Sequence, residues 1–464
     1  MTHRRRIVSL LGSLLVALSA GSTYVFSSYA PQLQSALHLS STQLNVLGLS
    51  SNLGMYMSGP FWGQWIDKKG PHGAILCGAV AVLLGYGMLS RAYKYEWQTL
   101  PVSILAFFLL LTGVGNSAAN NSAINVQAKS WSRNKRGSAM AAVLATFGLS
   151  AFVYSTVSHA VFHGDVAGYL TALALGSFFC FMVGFFMIKI VPPDLASEDQ
   201  ENLLHDSHTE VADERSEQGH HADDAQDEGE QNRRDPNAEE TSDHALEAVS
   251  GHAHDVTGWS LLYEPDFFLL FIILGLISGA GLLLINNVGT ITQVLWTFNH
   301  QKHPKIQDAL TSSWLNQVSG LAALIKKEKK SEKIVQRIQA LQVSSISLGN
   351  ASGRIGIGVL SDVLVHITHD SSSRTYLLLV VAFLALASQV LAATPGVICN
   401  VDRLLIISGL TGLMYGTLFG LCPNLVFEWF GMRSFSQNWG WIGFAPVIGG
   451  NAYNLLFGLY VDVA

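Results

Sequence analysis

Charged residues are scarce in this sequence. They make up 13% of the 464 residues, whereas 49% are apolar, and an average soluble domain carries about 25% charged residues. The composition therefore excludes an ordinary water-soluble domain. Cysteines are also few, and they lie far apart without a CxxC pair: Cys77, Cys180, Cys399 and Cys422. We interpret them as small buried hydrophobic residues, and we predict no metal site built from them.

Motifs of covalent catalysis are missing as well. The sequence has no phosphate-binding loop, no HExxH and no nucleophile elbow, and these are the patterns that commonly mark hydrolytic or nucleotide-driven chemistry. We therefore predict that the protein is not an enzyme and needs no cofactor. Any energy that such a protein needs would come from a gradient rather than from nucleotide hydrolysis. Nothing in the sequence suggests a nucleic-acid partner.

Negative charge is concentrated in one segment. Residues 192–264 hold 21 of the 33 acidic residues but only 3 of the 27 basic ones. Few aromatic residues and no apolar period occur there, so we predict a disordered loop between two halves of the chain. Seven histidines are interleaved with the acids, and weak zinc or copper binding stays an alternative to a solvated linker: His205, His208, His220, His221, His244, His252 and His254.

Eleven long apolar segments predict an all-α membrane protein. Each is close to the 20 residues that cross about 30 Å of hydrocarbon. Six precede the acidic loop, and five follow it: 7–29, 42–64, 73–92, 102–124, 138–160, 167–191, 266–288, 341–361, 375–394, 403–422 and 438–460. Lysine and arginine are concentrated at the N-terminus and in every second short loop. The positive-inside rule then predicts that the N-terminus and the acidic loop are cytoplasmic.

The two halves share a pattern at an offset of 295 residues. With Asp67 aligned on Asp362, Gly63 falls on Gly358, and a Leu-Gly pair precedes each glycine at the same distance. The shared spacing indicates duplication. We predict that the glycines allow close helix approach and that each aspartate accepts hydrogen bonds from a neighbouring helix N-terminus, holding a cytoplasmic gate shut. Aspartates that merely cap the membrane interface are the alternative.

The segment GQWIDKKGPH at residues 63–72 resembles the loop signature of the major facilitator superfamily, G-x-x-x-D-R/K-x-G-R/K-R/K. Four positions match it: Gly63, Asp67, Lys68 and Gly70. Residues 20–48, 283–295, 341–362 and 426–451 also resemble the nodulin-like branch, which is similar in turn to monocarboxylate porters. This resemblance implies the major facilitator fold, with two six-helix bundles around a cavity that opens alternately to either side.

Two features depart from that plan. The last apolar segment ends near Tyr460, so the twelfth helix of the family is not recognised. The predicted domains are a six-helix bundle at 1–191, the loop at 192–264, and a five-span bundle at 265–464. Inside the last domain, residues 296–338 show apolar residues every three or four positions and are predicted as an inserted amphipathic segment. An imperfect gene model is the other explanation of both departures.

Arg354 lies within the apolar segment 341–361. A charge at the bilayer centre costs about 2.5–3.5 kcal/mol on insertion scales, and no other apolar segment carries an acidic residue deep enough to neutralise it. We therefore predict that Arg354 binds an anionic solute, with Asn350 one helical turn away. A guanidinium that only ties the bundles together through carbonyl or amide groups is the alternative. Further candidate binding residues are Tyr24, Ser28, Asn286 and Asn287.

In the similar monocarboxylate porters, an aspartate four positions before the arginine takes part in proton coupling. Asn350 occupies that position here, so proton symport by that route is not expected. The leading hypothesis is a monomeric secondary transporter of a small organic anion, such as a carboxylate, with a possible coupling ion. A non-transporting membrane scaffold or sensor and a truncated product are the alternatives. The resemblance allows either the plasma membrane or the vacuolar membrane.

Overall fold

The computed structural model describes residues 2–97, 100–132, 135–162, 165–191, 256, 258–301, 314–394, 396 and 401–463, and every regular element in this part of the chain is a helix. Most of the acidic loop, residues 192–255, lies outside the described residues, so its predicted disorder is not tested. The short 3₁₀-helix Gly258–Tyr263 follows it.

The described residues that precede the acidic loop form eight α-helices. The first helix continues directly into the 3₁₀-helix Gly21–Ser28. In chain order the helices are α1 (Thr2–Ala20), α2 (Ala30–Ala36), α3 (Ser41–Met57), α4 (Gly59–Lys69), α5 (Pro71–Lys94), α6 (Val102–Ser130), α7 (Arg136–Val161) and α8 (Val166–Met187). The end of the molecule at which α1 begins and α4 ends is called the N-terminal side below, and the opposite end is called the distal side.

The second half of the described chain contains six α-helices. A 3₁₀-helix, Ser371–Tyr376, joins the second to the third. The helices are α9 (Pro265–Gln301), α10 (Trp314–Thr368), α11 (Leu377–Ala393), α12 (Val401–Phe430), α13 (Phe435–Ile442) and α14 (Phe444–Val463). Residues 314–338 are helical and run without interruption into the predicted span 341–361. Residues 302–313 lie outside the described part, and the amphipathic insertion at 296–338 stays a prediction.

Eight helical stretches of the described residues are long and apolar enough to cross a membrane. The three other predicted spans are helical too, but two of them are interrupted. Span 42–64 is divided between α3 and α4 at Ser58, and span 438–460 is divided between α13 and α14 at Gly443. Pro60 and Pro446 follow these breaks. Proline lacks the N–H that would continue the preceding helix, so it favours a helix start there.

The helices form two bundles, and each bundle is made by one half of the chain. In the first, α5 packs on α6 and α8, and α3 packs on α6; in the second, α10 packs on α12, and α9 packs on α14. The most extensive contacts between the bundles are those of α7 with α10 and of α4 with α13, and α7 also contacts α12. The architecture is therefore the predicted major facilitator arrangement, with Arg354, Asp67 and Asp362 along the surface where the bundles meet.

Candidate functional site

Arg354 lies between the two bundles rather than against lipid. Only 2% of its surface is exposed. Its Nε donates to Asn350 Oδ1 at 2.9 Å on the same helix, as the four-residue spacing predicts. Its Nη1 donates to the backbone oxygen of Leu144, on α7 of the other bundle, at 2.5 Å. Phe147 and Phe419 lie beside the guanidinium, with ring centroids 5.8 Å and 5.6 Å from Cζ.

No carboxylate neutralises this guanidinium within the described part of the chain. The salt bridges found there involve Asp67, Asp362 and Glu428, and Arg354 belongs to none of them. Among the same residues, Nη2 of Arg354 makes no hydrogen bond. A guanidinium has five N–H donors, so donors remain after the two observed bonds.

The guanidinium lines a small cavity of about 60 Å³. A cavity needs roughly 10–15 Å³ of such space to hold one water, so this conformation has room for a few waters or a very small solute. Polar residues of α6 line one wall, and apolar and aromatic residues line the rest. The lining includes Ser117, Asn120, Asn121, Leu144, Phe147, Phe419 and Trp439. The cavity thus combines one cation, several neutral polar groups and an apolar surface.

Two tyrosines separate this cavity from a second, larger one. Tyr24 and Tyr56 line both cavities, and their hydroxyl oxygens lie 3.2 Å apart. The second cavity has a volume of about 280 Å³ and lies on the distal side, between α3 of one bundle and α9 and α14 of the other. We call it the distal cleft. The tyrosine pair therefore lies between the distal cleft and the Arg354 cavity.

The other predicted binding residues divide between the two cavities. Tyr24 contacts both. Asn286 is exposed and lines only the distal cleft. Asn287 donates to Asn454 Oδ1 at 2.8 Å and to Leu283 O, so it holds α9 against α14. Ser28 ends the first 3₁₀-helix, and its side chain lies outside the described part of the structure. Among the predicted residues whose side chains are described, Tyr24 lines the Arg354 cavity, and Asn350 contacts Arg354 without lining the cavity.

On the N-terminal side, Asp67 joins α4 to α13 across the bundle boundary. Its Oδ2 accepts from the backbone N of Gln437 at 3.0 Å, in the first turn of α13. Its Oδ1 accepts from Asn125 Nδ2 at 2.8 Å and lies 3.4 Å from Lys129 Nζ. A carboxylate at a helix N-terminus is stabilised by the unpaired N–H groups and by the helix dipole.

Asp362 makes the equivalent contact between α10 and α7. Its two oxygens accept from the backbone N of Gly137 at 3.0 Å and of Ser138 at 2.7 Å, in the first turn of α7. Arg374, which is fully buried, lies 3.3 Å from the same carboxylate and also pairs with Glu428. Each aspartate therefore ties its own bundle to a helix N-terminus of the other.

The glycines of the duplicated pattern permit these contacts. A Cβ on Gly63 would lie 2.2 Å from the backbone oxygen of Ser436 on α13, and a Cβ on Gly358 would lie 2.2 Å from Cβ of Ala141 on α7. These distances are far below van der Waals contact, so only glycine fits. The equivalence inferred from the 295-residue offset therefore holds in three dimensions, since both copies join opposite bundles in the same way.

The remaining residues of the loop signature do not reach the other bundle. Gly70 follows the last residue of α4 and has φ +82°, a conformation that favours glycine, and α5 begins at the next residue. Lys68 is exposed. Gly70 therefore sets the tight turn between α4 and α5, and Lys68 lies on the surface at the N-terminal side.

A family model described as Major Facilitator Superfamily matches residues 12–327, which is more than half of the chain. The chain belongs to the major facilitator superfamily. It is accordingly an integral multi-pass membrane protein and a transporter of the major facilitator type, and members of this superfamily bind small-molecule substrates.

Several curated relatives of this facilitator carry transporter names. A protein of Gibberella zeae named "Probable transporter MCH1" is 27% identical, and the match covers 97% of this chain and 80% of the relative. A protein of the same name from Wickerhamomyces anomalus is 27% identical over 97% of this chain and 79% of its own length. These names indicate transport rather than catalysis, and they state no substrate.

Solved facilitator structures share the fold. The proton:xylose symporter XylE superposes with a TM-score of 0.58 at 13% identity, covering 99% of this chain and 90% of the symporter. The transporter FucP in its outward conformation superposes with a TM-score of 0.51 at 13% identity, and the match covers 98% of this chain and 92% of FucP. At this identity the likeness concerns the fold alone.

Sequence analysis missed several residues that this facilitator places at the site. Tyr56 is one of them, and the available signal was its four-residue spacing from Asn52, which matches the spacing of Tyr24 and Ser28. Glu428 was overlooked because the span 403–422 was predicted to end eight residues before α12 ends at Phe430. The acidic residue within an otherwise apolar stretch, FEWF, was the available signal.

Proposed function

We propose that this protein is a secondary transporter of a small organic anion and that Arg354 binds the anionic group, a carboxylate being the best fit. The observation that carries the proposal is a buried guanidinium that lines a cavity between the bundles and has no carboxylate partner among the described residues. A planar guanidinium matches a carboxylate through two parallel hydrogen bonds. A bound anion would supply the negative charge that the described residues around Arg354 do not provide.

The contact with Leu144 suggests how binding would be coupled to movement. In the described conformation, Nη1 of Arg354 donates to the backbone of the opposite bundle. A carboxylate accepts more strongly than a neutral carbonyl, so a bound acid would compete with Leu144 for that donor. Binding would then weaken one contact between the bundles at the moment when the cavity is filled.

The described conformation is closed on the N-terminal side and has its larger cleft on the distal side. We propose that the contacts of Asp67 and Asp362 with α13 and α7 form the gate on the N-terminal side. Opening that gate would require both carboxylates to leave the helix N-termini they contact. In alternating access, the distal cleft would close while an opening forms on the N-terminal side, between α4 and α13 and between α7 and α10.

We place the N-terminus and the 192–264 loop in the cytoplasm, because the basic short loops lie on that side. Tags at the N-terminus and in the loop should be digested by protease only after the membrane is permeabilised. Digestion in intact cells would contradict this orientation. The nodulin-like segments support placement in that branch of the superfamily, and the plasma and vacuolar membranes remain the two candidate locations.

Substitution of Arg354 tests the site. Purified protein in liposomes should accumulate short-chain carboxylates from a labelled panel, and Arg354→Ala should abolish uptake while elution on size exclusion stays unchanged. Arg403→Ala is the matched control, because that arginine of the same bundle is exposed and, among the described residues, its hydrogen bond goes to the backbone oxygen of Gly396. If Arg354 only ties the bundles together, the alanine variant will unfold at a lower temperature and still transport. That result would reject the binding role.

A further inference from the structure

The distal end of the first span is wound as a 3₁₀-helix. It comprises the eight residues Gly21–Ser28, directly after α1. Such helices seldom exceed about four residues, because their hydrogen bonds are poorer than those of an α-helix, and a stretch within a longer helix often marks a hinge. Contacts with the rest of the protein must therefore hold the segment in this form. The segment carries Tyr24, one member of the tyrosine pair.

Two neighbouring helices supply such contacts at the start of the 3₁₀-helix. The hydroxyl of Tyr86, on α5, donates to the backbone oxygen of Ser22 at 3.0 Å and lies 3.2 Å from Ser22 Oγ. Asn116, on α6, donates through Nδ2 to Thr23 Oγ1 at 2.8 Å and to Ser22 Oγ at 3.2 Å. Ser22 and Thr23 are both buried. Loss of one of these bonds would therefore leave a buried polar group without its partner.

The residue that follows these two is Tyr24. Its ring packs edge-on against Phe147 on α7, with ring centroids 5.4 Å apart, and its hydroxyl oxygen lies 3.2 Å from that of Tyr56. A Cβ on Gly21 would overlap Ser150 Oγ, so α7 packs closely against the beginning of the 3₁₀-helix. The direction of the Tyr24 side chain is therefore set by the winding of the three residues before it.

An α-helix would place Tyr24 differently. A 3₁₀-helix turns by about 120° and rises about 2.0 Å per residue, whereas an α-helix turns by about 100° and rises about 1.5 Å. Rewinding the segment as an α-helix, with α1 fixed, would rotate Tyr24 by about 80° and draw it back by about 2 Å along the axis. The same change would rotate Ser22 and Thr23 by about 40–60°, which would break their bonds with Tyr86 and Asn116.

We infer that Tyr86 and Asn116 are positioning residues for the tyrosine pair. Their hydrogen bonds favour the 3₁₀ form of the segment, in which Tyr24 meets Tyr56, and the α-helical form opens the passage from the distal cleft to the Arg354 cavity. Neither positioning residue lines either cavity, so both act through the winding of the first span. The inference concerns the passage and does not depend on which solute binds at Arg354.

Labelling of a cysteine inside the Arg354 cavity tests this inference. Ser117→Cys, in a background without the native cysteines, places a thiol on the wall of the cavity at a buried residue. The rate of its reaction with a small maleimide is measured on purified protein in detergent. Tyr86→Phe removes one hydroxyl and keeps the ring, so it should raise this rate by about two- to tenfold. Thr23→Val, which removes an acceptor of Asn116, should have an effect of similar size.

Two controls separate opening of this passage from general loosening of the protein. Tyr169→Phe is chemically matched to Tyr86→Phe, because the hydroxyl of that buried tyrosine also donates to a backbone oxygen, that of Tyr154. It should leave the rate unchanged. Ser436→Cys places the thiol in the closed contact between α4 and α13 on the N-terminal side. Its labelling rate should be the same with and without Tyr86→Phe.

An unchanged Ser117→Cys rate in folded Tyr86→Phe and Thr23→Val variants would overturn the inference. An equal rise in the Ser436→Cys rate would overturn it too, because it would show that the bonds only stabilise the bundle. If one of the two variants fails to fold, the other decides by the same criterion, and misfolding of both would contradict a role confined to positioning. Uptake that does not depend on Arg354 would reject the anion site and leave this inference standing.

Discussion

Replacing Gly63 with alanine should open the contact between α4 and α13. The added Cβ would lie 2.2 Å from the backbone oxygen of Ser436 and 2.5 Å from the backbone N of Gln437. Neither atom can move without the helix that carries it. The two helices must therefore separate by about 1 Å to restore ordinary contact, which typically costs 1–3 kcal/mol in a well-packed interface.

This cost falls on one conformation only. In the proposed state that is open on the N-terminal side, α4 and α13 would be apart, so the methyl group would be accommodated there without strain. An energy difference of about 1–3 kcal/mol shifts the ratio of open to closed molecules by roughly 5- to 150-fold. Gly63→Ala should therefore populate the open state without changing any polar group of the gate.

The assay is the rate at which a single cysteine reacts with a membrane-impermeant maleimide. Ser436→Cys, in a background lacking the native cysteines, places the thiol at a residue that is 1% exposed in the closed contact. Gly63→Ala should raise its reaction rate by at least about fivefold. Gly87→Ala is the control, because a Cβ on Gly87 meets nothing within 4 Å.

An equal reaction rate in Gly63→Ala and Gly87→Ala would refute this reasoning, provided that both variants elute as folded protein. The second copy of the pattern gives an independent comparison. Gly358→Ala should act like Gly63→Ala, since its Cβ would lie 2.2 Å from Ala141. Gly356→Ala, two residues earlier, should have no effect, because its Cβ meets nothing within 4 Å.

Two further predictions concern buried polar groups. Arg374→Gln leaves Asp362 and Glu428 without their shared cation, so it should destabilise the protein by about 3–5 kcal/mol and lower the Tm in detergent. Adding Glu428→Gln should recover part of the lost stability. An unchanged Tm in the single variant would contradict the ion-pair role. Tyr56→Phe removes the hydroxyl contact with Tyr24, worth about 0.5–1.5 kcal/mol. For a cysteine introduced into the Arg354 cavity, the substitution should raise the rate of labelling by a maleimide added from the distal side by about two- to tenfold. A slower labelling rate would mean that the tyrosines do not form the barrier.

Local pattern was enough to predict eight of the eleven spans as long apolar helices, and to find the repeated spacing of the glycines and aspartates. Apolar length follows from the thickness of the bilayer, and that constraint acts on each segment separately. The glycines and aspartates could be aligned because duplication preserved their spacing. Span boundaries were less predictable. The breaks at Ser58 and Gly443 depend on the prolines that follow them, and α12 continues eight residues beyond the predicted span.

The sequence by itself determined that Arg354 lies in an apolar segment and that Asn350 is its neighbour, because both facts follow from composition and helical spacing. Only the tertiary structure decided that Nη1 contacts Leu144, that Tyr56 joins Tyr24, and that Asn120 reaches the same cavity. The physical reason is that helix periodicity fixes which residues share a face, whereas the rotation and axial position of one helix against another result from many weak packing contacts along its whole length.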